Sequence, residues 1–282
     1  MYCVAGMHRS GTSFISQVLD HLGADFGDPE LLFPADKWNQ NGYFENIDVI
    51  DINNRAILGD KASINFWLEA PETLPARLIN SLRSRKWKYF LFPSIPSIKA
   101  RAKNYEARMK DFHETYNGKF VKDPRFCLTI GAWAEAGPIE GAVFSFRNPY
   151  SVAGSIQRRE GLPRAYGFRY WLYHIRGFVS ECPKDVEVFF TDFDRYFDAD
   201  LQSEEFASVA SYLGVKDGDE RLTSLSGKLD VKLKTQEASD EGMNMAINQA
   251  YEALKSFHAL SKGGKSVRLG DNPDLCAAIL GQ

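Results

Sequence analysis

The chain has 282 residues, 44% hydrophobic and 25% charged, which is the composition of a soluble globular protein able to bury a substantial core. Its formal net charge of −3 excludes whole-molecule attraction to nucleic acid or an anionic membrane, so any anion has to be bound locally. No apolar run reaches the roughly 18 residues of a spanning helix and no signal-like segment precedes Gly6, so no membrane, no nucleic-acid partner and a cytoplasmic location are expected.

Tyr2 to Ala5 reads as a short apolar strand, followed by a glycine turn from Gly6 to Gly11. From Thr12 to Leu22 the residues Phe14, Ile15, Val18, Leu19 and Leu22 recur at helical spacing, and Gly23 supplies a stop. Ala24 to Asn46 has no sustained period and is rich in Pro, Asp, Asn and aromatics (Phe33, Trp38, Tyr43, Phe44), as binding loops are. Helices are predicted over Asp48–Leu58, Pro71–Ser84 and Ile95–Tyr116; the last is long and polar, and its Lys99, Arg101, Lys103, Arg108 and Lys110 are expected to form a solvated face. Gly118–Lys122 is a second strand, stopped by "KDPR", and Ala142–Phe146 a third, ending in "RNP" with Pro149 suited to the first turn of a helix to Arg159. There follow an aromatic-rich helix (Tyr166–Ser180), a fourth strand (Val186–Phe190), a helix closed by Gly214 (Ser203–Leu213), a charged linker (Lys216–Asp240), a helix (Gly242–Leu260) and a basic, glycine-containing end.

Strands separated by helices predict an α/β fold with a central, mainly parallel sheet flanked by helices. Ligands of such sheets bind beyond the carboxyl ends of the strands, where the turns after residues 5, 122 and 146 fall. A single domain over 1–282 is expected, with a core of about 1–214 and a helical, basic extension from 215 to 282.

The turn "GMHRSGTS", residues 6 to 13, has the glycine spacing of the phosphate-binding P-loop, but Thr12 stands where that loop has its lysine. Backbone N–H groups followed by a helix N-terminus bind an anion whatever the side chains are. Ser10, Thr12 and Ser13 add hydroxyls, and Arg9 supplies a cation three positions before the expected lysine. The third strand ends in Arg147 and Asn148, where a metal-dependent phosphotransferase would carry an acid, so a second anion site is expected there instead. Cys3, Cys127, Cys182 and Cys276 form no Cys-x-x-Cys pair and the five histidines show no metal spacing, so no metal is called for.

"GMHRSGTSF" resembles the 5′-phosphosulfate loop of sulfotransferases that use 3′-phosphoadenosine 5′-phosphosulfate (PAPS), in its Arg-Ser-Gly-Thr form. "FRNPYSVAGS" is similar to the family's 3′-phosphate segment, in which a strand-end arginine is followed eight residues later by a serine; Arg147 and Ser155 match. "GYFE" (42–45) and "VKDPR" (121–125) are similar to segments of the small bacterial branch, and the likeness runs from about residue 2 to residue 214. It implies a P-loop-like three-layer fold, PAPS as donor, adenosine 3′,5′-bisphosphate as product, and a hydroxyl-bearing small molecule or glycan as acceptor. The implied donor-binding residues are His8, Arg9, Ser10, Gly11, Thr12, Ser13, Arg147 and Ser155, with Arg9 and Lys122 as catalytic cations.

Cytosolic members place a histidine two residues after that lysine, but Pro124 stands here, so the general base lies elsewhere: Glu30 and Glu45 are the candidates, with Asp123 and His8 behind them. Arg125 reads equally as a salt-bridge partner or a phosphate contact. Phe14 and Phe190 read either as core or as aromatic faces for adenine, and the basic segment 261–270 as a disordered tail or a cover over the 3′-phosphate. A divergent ATP-dependent P-loop phosphotransferase and a non-catalytic nucleotide-binding protein are the alternative functions.

Overall fold

Four parallel strands and a short antiparallel one make the sheet of the computed structural model, which describes residues 1–34, 42–59, 92–225 and 242–282. Trp38, the predicted helix Pro71–Ser84 and the 226–240 part of the predicted linker lie outside these residues. In chain order the elements are β1 (Tyr2–Ala5), α1 (Thr12–His21), α2 (Ile47–Leu58), α3 (Ile95–Ala102), α4 (Glu106–Thr115), β2 (Phe120–Lys122), α5 (Phe126–Ala136), β3 (Gly141–Phe146), α6 (Pro149–Glu160), α7 (Arg164–Glu181), β4 (Glu187–Asp192), α8 (Gln202–Tyr212), α9 (Glu220–Leu225), α10 (Met245–Ser261), β5 (Val267–Arg268) and α11 (Pro273–Leu280). The spatial order is β2-β1-β3-β4-β5, with only β5 antiparallel.

Side chains alternate across a strand, so a fully buried strand feeds two cores. Along β3, Ala142, Phe144 and Phe146 enter one apolar cluster, joined by Trp133 of α5, Phe178 of α7 and Phe257 of α10. Val143 enters the other, with Phe14, Val18 and Leu19 of α1 and Phe206 and Val209 of α8. Helices therefore cover both faces of the sheet. All four cysteines are buried, and no helix among the described residues is long and apolar enough to cross a membrane.

Three expectations change. The long polar helix breaks into α3 and α4 around a 3-10 turn at Lys103–Tyr105, and three of its five cations are tethers: Lys99 pairs with Glu135 and Glu181, Arg101 donates to the carbonyls of Ala56 and Ile57, and Arg108 pairs with Asp48 and Asp51, while Lys103 and Lys110 lie exposed as expected. β4 runs two residues past Phe190, which is fully buried and stacked on Phe257 at 4.7 Å, so it belongs to the core and offers no face to a base. Phe14 likewise packs edge-on against Phe193 and Tyr196. The basic segment is ordered and divided: β5 pairs with Glu187 and Val188 at the start of β4, away from the strands' carboxyl ends, with Arg268 paired to Glu187, whereas Lys262 pairs with Glu204 of α8.

The turn after β1 depends on Gly6, whose φ is +144° and whose added Cβ would stand 2.2 Å from the Ser145 carbonyl oxygen of β3. Backbone cannot yield as a flexible side chain can. Gly6→Ala is expected to destabilise the protein by about 3 kcal/mol or more, read as the shift in urea midpoint.

Candidate functional site

Beyond Ala5 the chain turns across the carboxyl ends of the strands and enters α1 through Gly11. Gly11 has φ +84°, and the Phe193 ring lies 2.0 Å from where its Cβ would be, so the turn is clamped between β3 and the segment after β4. No side chain caps the first turn of α1, which leaves its leading N–H groups and positive dipole end at the turn. Arg9 holds φ 73°, a left-handed conformation costing roughly 1–3 kcal/mol for a residue with a side chain. Among the described residues the other such non-glycine position is Phe44, within "GYFE". Strain is thus concentrated in two of the segments singled out by sequence.

Lys122 joins them. It closes β2 with its side chain only 1% exposed, and its ammonium donates to Ser13 Oγ at 3.1 Å, to the Tyr43 carbonyl at 2.9 Å and to Glu45 Oε1 at 2.6 Å. One buried cation therefore links the glycine turn, "GYFE" and "VKDPR". Glu45 is held from its other side as well, with Phe33 N–H donating to its carbonyl at 2.7 Å and the Arg125 guanidinium 3.8 Å from Oε2. Arg125 itself binds both oxygens of Asp123 at 3.0 and 3.2 Å, which makes it a salt-bridge residue. Burial raises the Asp123 carboxyl above its ordinary pKa, and Arg125 opposes that rise.

At the end of β3, Asn148 caps α6 by accepting from the N–H groups of Tyr150 and Ser151, and Pro149 takes the first helical position as expected. Arg147 is 3% exposed and lies over the Phe193 ring at 4.8 Å. Its Nε donates to Asp194 Oδ1 at 3.1 Å, and its Nη2 is buried with no hydrogen-bond partner. Burial depresses this guanidinium below the usual arginine pKa, and Asp194 works against the depression. Ser155, two turns into α6, accepts from Arg9 Nε at 2.9 Å. The two segments in which sequence places anion-binding residues therefore meet. In the turn itself, Ser10 accepts from Ser145 Oγ through its carbonyl at 2.7 Å, while its own hydroxyl is buried without a partner.

The remaining candidates diverge. Thr12 is buried and its methyl packs under Gly6. Glu30 sits exposed in the 3-10 turn Pro29–Leu31, its N–H held by Asp28, and no contact among the described residues joins it to the glycine turn. His8 directs its ring to α7, against Tyr170 at 6.3 Å and His174 at 6.0 Å.

Sequence reasoning did not find Phe193 and Asp194, which contact the turn and Arg147, nor Tyr170 and His174. "TDFD" at 191 to 194 carried a usable signal, an aspartate directly after an apolar strand: Asp192 Oδ1 accepts from Asp194 N–H at 3.0 Å and sets this turn.

No family model, curated protein or solved structure matches the chain.

Burial, then the neighbouring Asp194, push the Asp192 carboxyl up to about 7 from an ordinary 3.8, against the Asp194 N–H and His258. With a raised folded-state pKa, the native protein holds a proton that the unfolded chain gives up, so stability falls as pH rises between these values. Asp192→Asn, which can still accept from the Asp194 N–H, is expected to melt at the wild-type temperature near pH 4. Its advantage should grow to several degrees by pH 8, measured by thermal unfolding across that range.

Proposed function

We propose that the chain is a sulfotransferase of P-loop-like fold that takes PAPS as sulfuryl donor and a hydroxyl compound as acceptor. The observation that carries this reading is the contact of Arg9 with Ser155, which sets the anion-binding turn against a second cationic strand end. The donor bears a sulfated 5′-phosphate and a separate 3′-phosphate, and needs two neighbouring anion sites of this kind. Two buried groups without partners, Ser10 Oγ and Arg147 Nη2, are unspent hydrogen-bonding capacity at those sites.

When bound, the donor supplies a sulfuryl group whose loss leaves negative charge on the 5′-phosphate oxygen. A fixed cation at that oxygen is the useful catalyst, because it needs no reorganisation as charge develops. Arg9 and the α1 N-terminus hold that position in the reading, and Lys122 supports them through Ser13. Arg147 and Ser155 grip the 3′-phosphate. For Arg147 this means sharing its guanidinium between Asp194 and the ligand, since Nε is already engaged and Nη2 is not. Glu45 keeps the Lys122 ammonium in place; removing one partner of a buried pair costs about 3–5 kcal/mol, so Glu45→Gln is expected to lower stability and kcat together.

Adenosine 3′,5′-bisphosphate at about 100 times its Kd is expected to raise Tm by roughly 5 °C or more without added metal, and ATP with magnesium is not. Equal stabilisation by magnesium ATP would favour a phosphotransferase instead. Arg147→Ala and Ser155→Ala are each expected to weaken the bisphosphate by about tenfold or more while leaving adenosine 5′-phosphosulfate, which lacks the 3′-phosphate, little changed; calorimetric titration of both ligands reads the difference. Parallel losses for the two ligands would remove these residues from a 3′-phosphate site.

A further inference from the structure

We infer that Asp194 is the specificity-determining residue of the Arg147 site: its carboxylate selects an oxyanion that keeps a hydrogen, a phosphate monoester, and rejects a sulfate ester. This rests on the sulfotransferase reading above, in which Arg147 receives the 3′-phosphate.

Donors alone do not tell the two oxyanions apart, because both present acceptor oxygens in the same tetrahedral arrangement. Arg147 is a donor only, and Ser155, already accepting from Arg9 Nε, has its own hydrogen to give. Discrimination needs an acceptor beside them.

Asp194 supplies it. The Nε–H and one Nη2–H of a guanidinium point the same way and form a fork that takes two oxygens side by side. In Arg147 that fork is half filled: Nε donates to Asp194 Oδ1 at 3.1 Å, and Nη2 is buried without a partner. Asp194 does not span it, because its Oδ2 is drawn off to the Asn148 N–H at 3.0 Å. A ligand oxygen taken by Nη2 on this edge therefore stands beside Oδ1. Two bare oxygens repel there, whereas a hydrogen on the ligand oxygen turns the same approach into a hydrogen bond donated to the carboxylate. A phosphate monoester has that hydrogen to keep; a sulfate ester has none.

The carboxylate is held where it is. The Asp194 N–H donates to Asp192 Oδ1 at 3.0 Å, and the adjoining Phe193 ring lies 4.8 Å from the guanidinium. Charge argues the same way. Arg147 is 3% exposed and already has one carboxylate as counter-charge, so a doubly charged phosphate would leave surplus negative charge out of water. Free phosphate monoesters lose their second proton at about pH 6, so the bound ligand takes one up from solvent at neutral pH. Rejecting sulfate esters has a use, since they are the products of the proposed reaction and would otherwise compete with the donor.

The charged and titratable groups around Asp194 are Arg147, Asp192 at the end of β4, Tyr251 and His258 from α10, Glu205 from α8, and Arg158 of α6 facing Arg147. The adjacent Arg195 is engaged by Glu204 and Glu205. Asp192, whose carboxyl burial pushes up to about 7, is the other place for the proton, and the experiment separates the two.

PAPS is the probe, because its 3′-phosphate is its one group that titrates near neutral pH. Calorimetric titration into the full chain at pH 8 without acceptor, in Tris and in HEPES, is expected to show uptake of about one proton per PAPS and none for adenosine 5′-phosphosulfate. In competition against PAPS, adenosine 3′-phosphate is expected to bind about tenfold or more tighter than adenosine 3′-sulfate. Neither readout needs a variant. Asp194→Asn is expected to lose both the uptake and the preference, and Asp192→Asn to keep both. PAPS bound without proton uptake, equal affinity for the two adenosine esters, retention of both properties by Asp194→Asn, or their loss in Asp192→Asn overturns the assignment and leaves the sulfotransferase reading standing. Failure of wild type to bind PAPS would sink that reading, and the assignment with it.

Discussion

The Lys122 ammonium is the constraint on which the site depends. A charge removed from water is tolerable only when its hydrogen-bonding capacity is used, and here all three N–H donors are placed: a hydroxyl from the start of α1, a carbonyl from the 42–45 segment and a carboxylate from the same segment. Those partners come from stretches 109, 79 and 77 residues away in sequence. No single local signal encodes the arrangement, yet the parallel register that sets Val4 beside Lys122 brings it about. The strained backbone of Phe44 directly precedes Glu45 of this ion pair, and that of Arg9 lies in the turn that leads to Ser13, where over-determined packing can sustain them.

A second level of organisation follows from the turn after β4. Asp192 fixes Asp194 and Phe193; Phe193 roofs Gly11 and underlies Arg147; Asp194 takes Arg147 Nε and the Asn148 N–H. The three strand-end turns are thus braced against one another. A site made from separate loops gains the precision of a packed core in this way, and the cost is a buried carboxyl at Asp192 with its proton retained to about pH 7.

What could be read from sequence and what could not have physical reasons. The β1–turn–α1 unit, the Asn148–Pro149 helix start and most strand positions rest on local patterns: an apolar run, glycine spacing, a cap. α5 escaped because nine of its eleven residues are buried, so "FCLTIGAWAEA" shows no polar face and no helical period. β5 is two residues long and shows no alternation. The break at Lys103–Tyr105 lies between tethers, Lys99 to α5 and α7 and Arg101 to α2 before it and Arg108 to α2 after it, which periodicity does not register. At the site, residue types at Arg9, Ser13, Lys122, Arg147 and Ser155 were readable as anion-binding chemistry. The commitments that sort them were not: Glu45 to Lys122, Arg125 to Asp123 and His8 to α7 are tertiary choices among equally polar neighbours.

The short antiparallel strand β5 has a consequence for how copies of this chain behave together. β4 would otherwise present its opening residues as an open border of backbone donors and acceptors, the feature through which sheets recruit foreign strands and grow into aggregates. Val267 and Arg268 fill those hydrogen bonds at Val188 and Glu187, and the exposed Arg268 guanidinium places charge on the new outer rim. Two residues near the carboxyl end of the chain thereby act as a stopper against polymerisation.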